Sequence, residues 1–215
     1  MRILLLNPNS NVATTTAMTG IAQDEAGEDA IIEGMTAPSG PSMIIDEDAL
    51  KIASALMATL VPAIEQARPD AVILSGYGDP GLAALRAQLR LPVTGIGEAS
   101  MLEAARYGSF AVATSTPGLA RAITNMANDR GYEAVFRGVF LTKRDPLLLS
   151  NDPVALLDDL RESCVEAINK VHPGSIIIGG GPLALAARQL RPDFSVPIIE
   201  PIPAAVRLSL ALLAR

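Results

Sequence analysis

The sequence predicts an α/β fold of two similar lobes, each built on a mostly parallel sheet. Three observations lead there. The first is one arrangement written twice. Ala71-Val72-Ile73-Leu74-Ser75-Gly76 is followed by a short loop, Pro80 and an alanine/leucine helix, and Ser175-Ile176-Ile177-Ile178-Gly179-Gly180 by Pro182 and a similar helix. Apolar runs of this length, bounded by turn residues, read as buried parallel strands. Proline is favoured just inside a helix start, where its missing N–H would be unpaired anyway. The second is that each copy returns to another short run, Pro92-Val93-Thr94-Gly95 and Pro197-Ile198-Ile199. The third is a matching start to each half. Residues 1–6, Asn7-Pro8-Asn9-Ser10 and a helix over 14–22 parallel residues 109–113, Thr114-Ser115-Thr116 and a helix over 119–128. The result is two pseudo-symmetric, Rossmann-like lobes, residues 1–95 with 201–215 and residues 96–200. Four polar, glycine-rich loops then surround one ligand cleft, because open α/β sheets bind outside the carboxyl ends of their strands.

Composition bounds what this fold does. The 215 residues suit one large domain or two lobes of about 100 each. Apolar residues make up 49% and aromatics 3%, with no Trp, so the core is aliphatic. The formal charge is −6 without a basic cluster, which argues against nucleic acid or an anionic membrane as partner. No run is long and apolar enough to span a bilayer, and the apolar start is too short for a signal peptide, so a cytoplasmic location is expected. One Cys and one His leave no internal disulfide and no thiolate- or His-rich metal site. Neither metal nor cofactor is expected. The partner is a small molecule, and the alanine/leucine-rich helices leave a homo-oligomer open.

Taken in order, strand one covers 2–6. Asn7, Asn9 and Ser10 then cap a helix or donate to a ligand, with Ser10 or Asn11 as the cap. A second strand covers 30–35. The loop over 36–43, with Gly40 and Ser42, is long enough to reach the cleft. Asp46, Glu47 and Asp48 open a helix, in which Pro62 forces a kink or a split. Strand three, 71–75, leads into Gly76-Tyr77-Gly78-Asp79-Pro80. This segment is a turn, or it places Tyr77 and Asp79 for chemistry at a strand end. After strand four, Gly95-Ile96-Gly97-Glu98 opens a helix to about residue 106, where Glu98 complements the dipole. In the second half Thr114, Ser115 and Thr116 cap a helix while presenting hydroxyls. Residues 133–139 read as a strand and 141–152 as a loop whose Lys143 and Arg144 are solvated charges or a carboxylate clamp. In the helix over 153–171, Cys164 lies on the apolar face and reads as a small core residue. His172 reads as a C-terminal dipole partner. A last helix over 204–214 packs back on either half.

Asn7-Pro8-Asn9-Ser10, Gly40-Pro41-Ser42, Asp79-Pro80-Gly81 and Gly95-Ile96-Gly97-Glu98-Ala99, in this order, resemble the aspartate/glutamate racemase superfamily, with the hydantoin and allantoin racemases as the nearest branch. The similarity covers essentially the whole chain. The resemblance implies a pseudo-symmetric two-lobe fold and a cleft where two cysteines, one per lobe, exchange a proton with carbon from opposite faces. This chain departs at both positions. Gly76 stands at the first cysteine and Gly180 at the second, and Cys164 matches neither. Arylmalonate decarboxylases, relatives in that superfamily, keep one of the two thiols.

Without the thiols, Gly179-Gly180-Gly181 reads as an oxyanion cradle of backbone N–H groups. The acid or base candidates left in the loops are Tyr77, Asp79, Glu98 and Glu200. Asn7, Asn9, Ser10, Gly40, Ser42, Ser75, Gly76, Thr114, Ser115 and Thr116 are the expected binding residues. A carboxylate with no histidine partner needs a raised pKa or an acidic substrate to act as a base. Three functions follow: an isomerase, lyase, decarboxylase or ring-opening hydrolase of a small carboxylate, amide or cyclic ureide; a racemase with carboxylates replacing the thiols; and a non-catalytic binder.

Overall fold

The computed structural model describes all residues 1–215. In the first half, β1 (Arg2–Asn7) is buried at every residue after Arg2, as its apolar run requires. Asn11 caps α1 (Val12–Ala26), accepting the Thr14 N–H at 3.1 Å. Next come β2 (Ile31–Thr36), α2 (Glu47–Thr59) and α3 (Val61–Ala67). Pro62 splits the expected helix at Leu60 and sits in the first turn of α3, where no N–H is missed. β3 (Ala71–Leu74), α4 (Leu82–Gln88), β4 (Val93–Gly95) and α5 (Ile96–Ala104) complete this half.

The second half repeats the plan with β5 (Phe110–Thr114), α6 (Ala120–Asp129), β6 (Phe136–Leu141), α7 (Pro146–Leu149), α8 (Pro153–Val171), β7 (Ser175–Ile178), α9 (Ala184–Leu190), β8 (Ile198–Ile199) and α10 (Pro201–Leu213). The two sheets are wholly parallel and identically ordered, β2-β1-β3-β4 and β6-β5-β7-β8. Two expectations are corrected. The strand placed at 133–139 begins at Phe136, because Val135 and Phe136 both donate backward to the Tyr132 carbonyl and close a turn first. The loop placed at 141–152 contains α7, capped by Asp145 and opened by Pro146.

Each half sends its last helix across. α5 packs against β7 and β8, and α10 against β3 and β4 and along α1. A single apolar cluster therefore runs through both halves, joining Ile3, Leu5 and Ile73 to Phe110, Val112 and Ile177. Within this seam lies one buried polar pair, Thr94 Oγ1 and Ser209 Oγ, 2.7 Å apart. Thr94→Val strands the Ser209 hydroxyl and is expected to cost about 1–2 kcal/mol. The double change Thr94→Val with Ser209→Ala is expected to recover most of that loss, as urea denaturation of the four proteins would show. No helix is long and apolar enough to cross a membrane.

Candidate active site

The carboxyl ends of β1, β3, β5 and β7 meet between the lobes, and their turns enclose a cavity of about 50 Å³. Asn9 comes from the first turn, Ser75, Gly76 and Tyr77 from the third, Thr114, Ser115 and Thr116 from the fifth, and Gly179, Gly180 and Gly181 from the seventh. Ten expected residues are thus brought together. Pro8, Met43, Ile44, Leu119, Pro182 and Leu183 supply the apolar walls. The sequence offers none of these six as a site residue, because a prolyl or aliphatic residue beside a turn carries no chemical signal.

The remaining expected binding residues stand behind or beside this cavity. Asn7 is fully buried and organises the first turn. Its amide donates to Asn9 Oδ1 and Thr15 Oγ1, both at 2.9 Å, and its carbonyl accepts the Asn9 N–H at 3.1 Å. Ser10 ties this turn to the 36–43 loop through its N–H to the Pro41 carbonyl (3.0 Å) and its hydroxyl to the Gly40 carbonyl (3.3 Å). Ser42 lines an adjoining groove.

The donors divide into two sets. Ser75 donates to the Leu6 carbonyl at 3.0 Å and Thr114 to the Gly179 carbonyl at 2.7 Å, so these protons are already engaged. Thr116 lies 3.1 Å from the Thr114 hydroxyl. The backbone N–H groups of Gly76, Tyr77, Ser115, Thr116 and Gly180 have no acceptor within the chain. Residues of both lobes whose N–H groups are unpartnered therefore line one small cavity. This is the arrangement that holds a carboxylate or a developing oxyanion.

The three candidate carboxylates do not line the cavity. Asp79 turns away, held by a left-handed backbone (φ 50°). It accepts the Gly97 and Glu98 N–H groups at the start of α5, both at 2.8 Å, and meets Arg130 of the other lobe at 3.1 Å. Burial pushes its carboxyl up to about 6, while the Gly97 N–H and Arg130 pull it back. Glu98 accepts the Gly95 N–H at 3.3 Å and pairs with Arg86. Glu200 opens α10 and faces Arg188 and Arg191, each at 3.6 Å. Tyr77 does line the cavity, but burial raises its hydroxyl far above the ordinary range. No charged side chain borders the cavity.

Other expectations resolve simply. Lys143 and Arg144 bind Glu162 and Asp159 of α8, at 2.9 and 2.7 Å, and form no clamp. His172 ends α8 in a left-handed conformation. Cys164 is fully buried beneath the second sheet, its thiol pushed up to about 12 by burial. No group of three or more His, Cys, Asp or Glu residues is placed to hold a metal ion. Gly76 and Gly180, where the resemblance leads one to expect thiols, both border the cavity, and both are crowded. A Cβ at Gly76 would stand 2.5 Å from Pro8 Cγ, and one at Gly180 would stand 2.9 Å from Leu183 Cγ.

Comparison with known proteins agrees with this architecture. A hydantoin racemase from Paenarthrobacter aurescens is 29% identical over 219 aligned positions, covering 100% of this chain and 92% of that protein. An allantoin racemase structure from Klebsiella pneumoniae superposes with a TM-score of 0.93 at 27% identity, covering 100% of this chain and 88% of the other. Arylmalonate decarboxylase shares the fold at 16% identity, with a TM-score of 0.70 over 99% of this chain and 92% of that one. The profile of the Asp/Glu/Hydantoin racemase family matches residues 3–209, and the chain belongs to that family.

Proposed function

We propose that the chain is a cofactor-independent lyase that decarboxylates a small, activated carboxylic acid, using neutral donors to hold the charge that develops on oxygen. One observation carries this reading: residues with unpartnered N–H groups, from both lobes, line a cavity that no charged residue lines. Racemisation begins with removal of a proton from carbon, and that step needs a base. Asp79 and Glu98 are committed to a helix start and arginines, Glu200 faces two arginines outside the cavity, and Tyr77 stays protonated. Ring-opening hydrolysis likewise needs a group to activate water. Decarboxylation needs neither. The bond to the departing carboxylate breaks, its electrons move into an enolate, and CO₂ leaves. The donors stabilise that enolate, and a water molecule supplies the proton to carbon, leaving hydroxide that the released CO₂ takes up as bicarbonate. The racemase with carboxylates in place of thiols has no such support here.

The test is phenylmalonate in D₂O, followed by NMR. The expected product is phenylacetate with one deuterium at the α-carbon, formed with release of CO₂. Exchange of the α-proton of a 5-substituted hydantoin with loss of optical rotation, and no decarboxylation, would establish a racemase instead. Binding of both compounds without turnover would leave a non-catalytic binder.

A further inference from the structure

Beside the cleft runs a groove of about 450 Å³, between α1, α7 and the turn over residues 181–185. The two spaces share a wall made of Asn9, Met43, Ser115, Gly181, Pro182 and Leu183. We propose that this groove is the subsite for an uncharged, apolar substituent of the ligand whose acid-like head occupies the cleft. The inference rests on the head-group reading above and adds the class of side chain that the ligand carries.

Size is the first argument. Small-molecule sites commonly enclose roughly 300–1,000 Å³. The cleft alone, at about 50 Å³, falls well short of that, and the groove supplies the missing room. Charge is the second. The chain carries 17 Lys and Arg and 23 Asp and Glu, yet none of them lines the groove. A charged substituent would lose hydration there without meeting an opposite charge. The floor is apolar, with Met18, Ile21 and Leu149 buried and Leu156 partly so. Contact between the two spaces is the third. A Cβ at Gly181 would stand 2.6 Å from both Met18 Sδ, on the groove side, and the Ser75 carbonyl oxygen, on the cleft side. Only glycine keeps the wall this thin.

Calorimetric binding to 2-substituted malonates and 5-substituted hydantoins tests the assignment without requiring turnover. The substituents are methyl, isobutyl, benzyl and carboxymethyl. In at least one series, isobutyl and benzyl compounds are expected to bind about tenfold or more tighter than methyl, from the apolar area they bury. The carboxymethyl compound is expected to bind no better than methyl. Ala17, exposed on α1 at the groove wall, is the site for a filling substitution. Ala17→Trp is expected to erase the gain for isobutyl and benzyl while leaving methyl binding within about twofold. That retained binding also shows that the variant is folded. Equal affinity across the uncharged substituents, tightest binding of carboxymethyl, or a loss in Ala17→Trp that ignores the substituent overturns the subsite. Failure of the folded wild-type protein to bind any methyl compound overturns the head-group reading itself, and the subsite with it.

Discussion

Asp79→Ala is expected to destabilise the protein by about 3 kcal/mol, read as a lower urea midpoint at unchanged slope. Asp79 joins three parts: the turn carrying Tyr77, the start of α5 and Arg130 at the end of α6. The structure makes room for its carboxylate at the expense of side chains. A Cβ at Gly95 would stand 2.3 Å from the Asp79 carboxyl carbon, and one at Gly97 would stand 3.0 Å from its oxygen. Alanine leaves two N–H groups without an acceptor and Arg130 with only Glu98, at 3.6 Å. Because Arg130 is 28% exposed, the cost belongs at the low end of the range for breaking a buried pair. Asp79→Asn isolates the charge, since asparagine also tolerates the left-handed backbone. The folded carboxyl titrates at about 6 against an ordinary 3.8, so the folded state holds its proton to higher pH than the unfolded chain. Stability from this group is therefore full below about pH 4 and falls as pH rises towards 6, by a total on the order of 3 kcal/mol. Asp79→Asn removes that slope. The difference in unfolding free energy between wild type and variant should thus shrink between pH 4 and 6. A difference that grows over that range would mean that Arg130 and the two N–H groups outweigh burial.

The same aspartate shows what the sequence discloses and what it withholds. Short apolar runs such as Ile176-Ile177-Ile178, closed by glycine, have few readings other than a buried parallel strand, so both sheets were legible. The duplication was legible because turns at strand ends need the same small residues in both lobes. Side-chain direction was not. Asp79, Glu98 and Glu200 all follow strand ends, where catalytic groups belong, but helices begin at the same places. A carboxylate there meets either a ligand or an unpaired N–H, and spacing does not distinguish the two. The structure decides for the helix at Asp79 and Glu98, and it adds to Asp79 a partner, Arg130, some fifty positions away in sequence. The cleft's hydroxyls and glycines were easier to read, because Thr114-Ser115-Thr116 and Gly179-Gly180-Gly181 leave few other uses for so many small residues at a strand end. The apolar walls were hidden for the opposite reason: Leu119 and Leu183 look like any other buried leucine.

Placing sulfur in the cleft should succeed on one side and fail on the other. Gly180→Cys places its Cβ 2.9 Å from Leu183 Cγ and 3.0 Å from its Cδ1, and a leucine side chain gives way by rotating. The backbone there is extended (φ 163°), which any residue adopts. The expected cost is about 1 kcal/mol. Gly76→Cys meets Pro8 Cγ at 2.5 Å and Pro80 Cδ and Cγ at 3.1 and 3.2 Å, all of them ring atoms whose only freedom is pucker. Here the Asn7–Ser10 turn must move, and Asn7 anchors that turn through buried hydrogen bonds to Asn9 and Thr15. The expected cost is about 3 kcal/mol, the upper end for overpacking. Urea denaturation of the two single variants measures the asymmetry directly. A functional contrast follows from the same geometry. Gly180→Cys supplies a proton donor on one face only. With a prochiral 2-aryl-2-methylmalonate it should bias the handedness of the decarboxylation product, whereas the wild-type protein, protonating from water, should show no comparable bias. A thiol on one face alone does not carry a proton from one face of carbon to the other, so hydantoin racemisation should stay absent from this variant. The double variant should stay inactive as a racemase too, because the displaced Pro8 turn no longer holds the ligand against both faces. A double variant as stable as wild type, with rapid α-proton exchange on a 5-substituted hydantoin, would show that the chain lacks only its two sulfur atoms and that the crowding around Gly76 is no barrier.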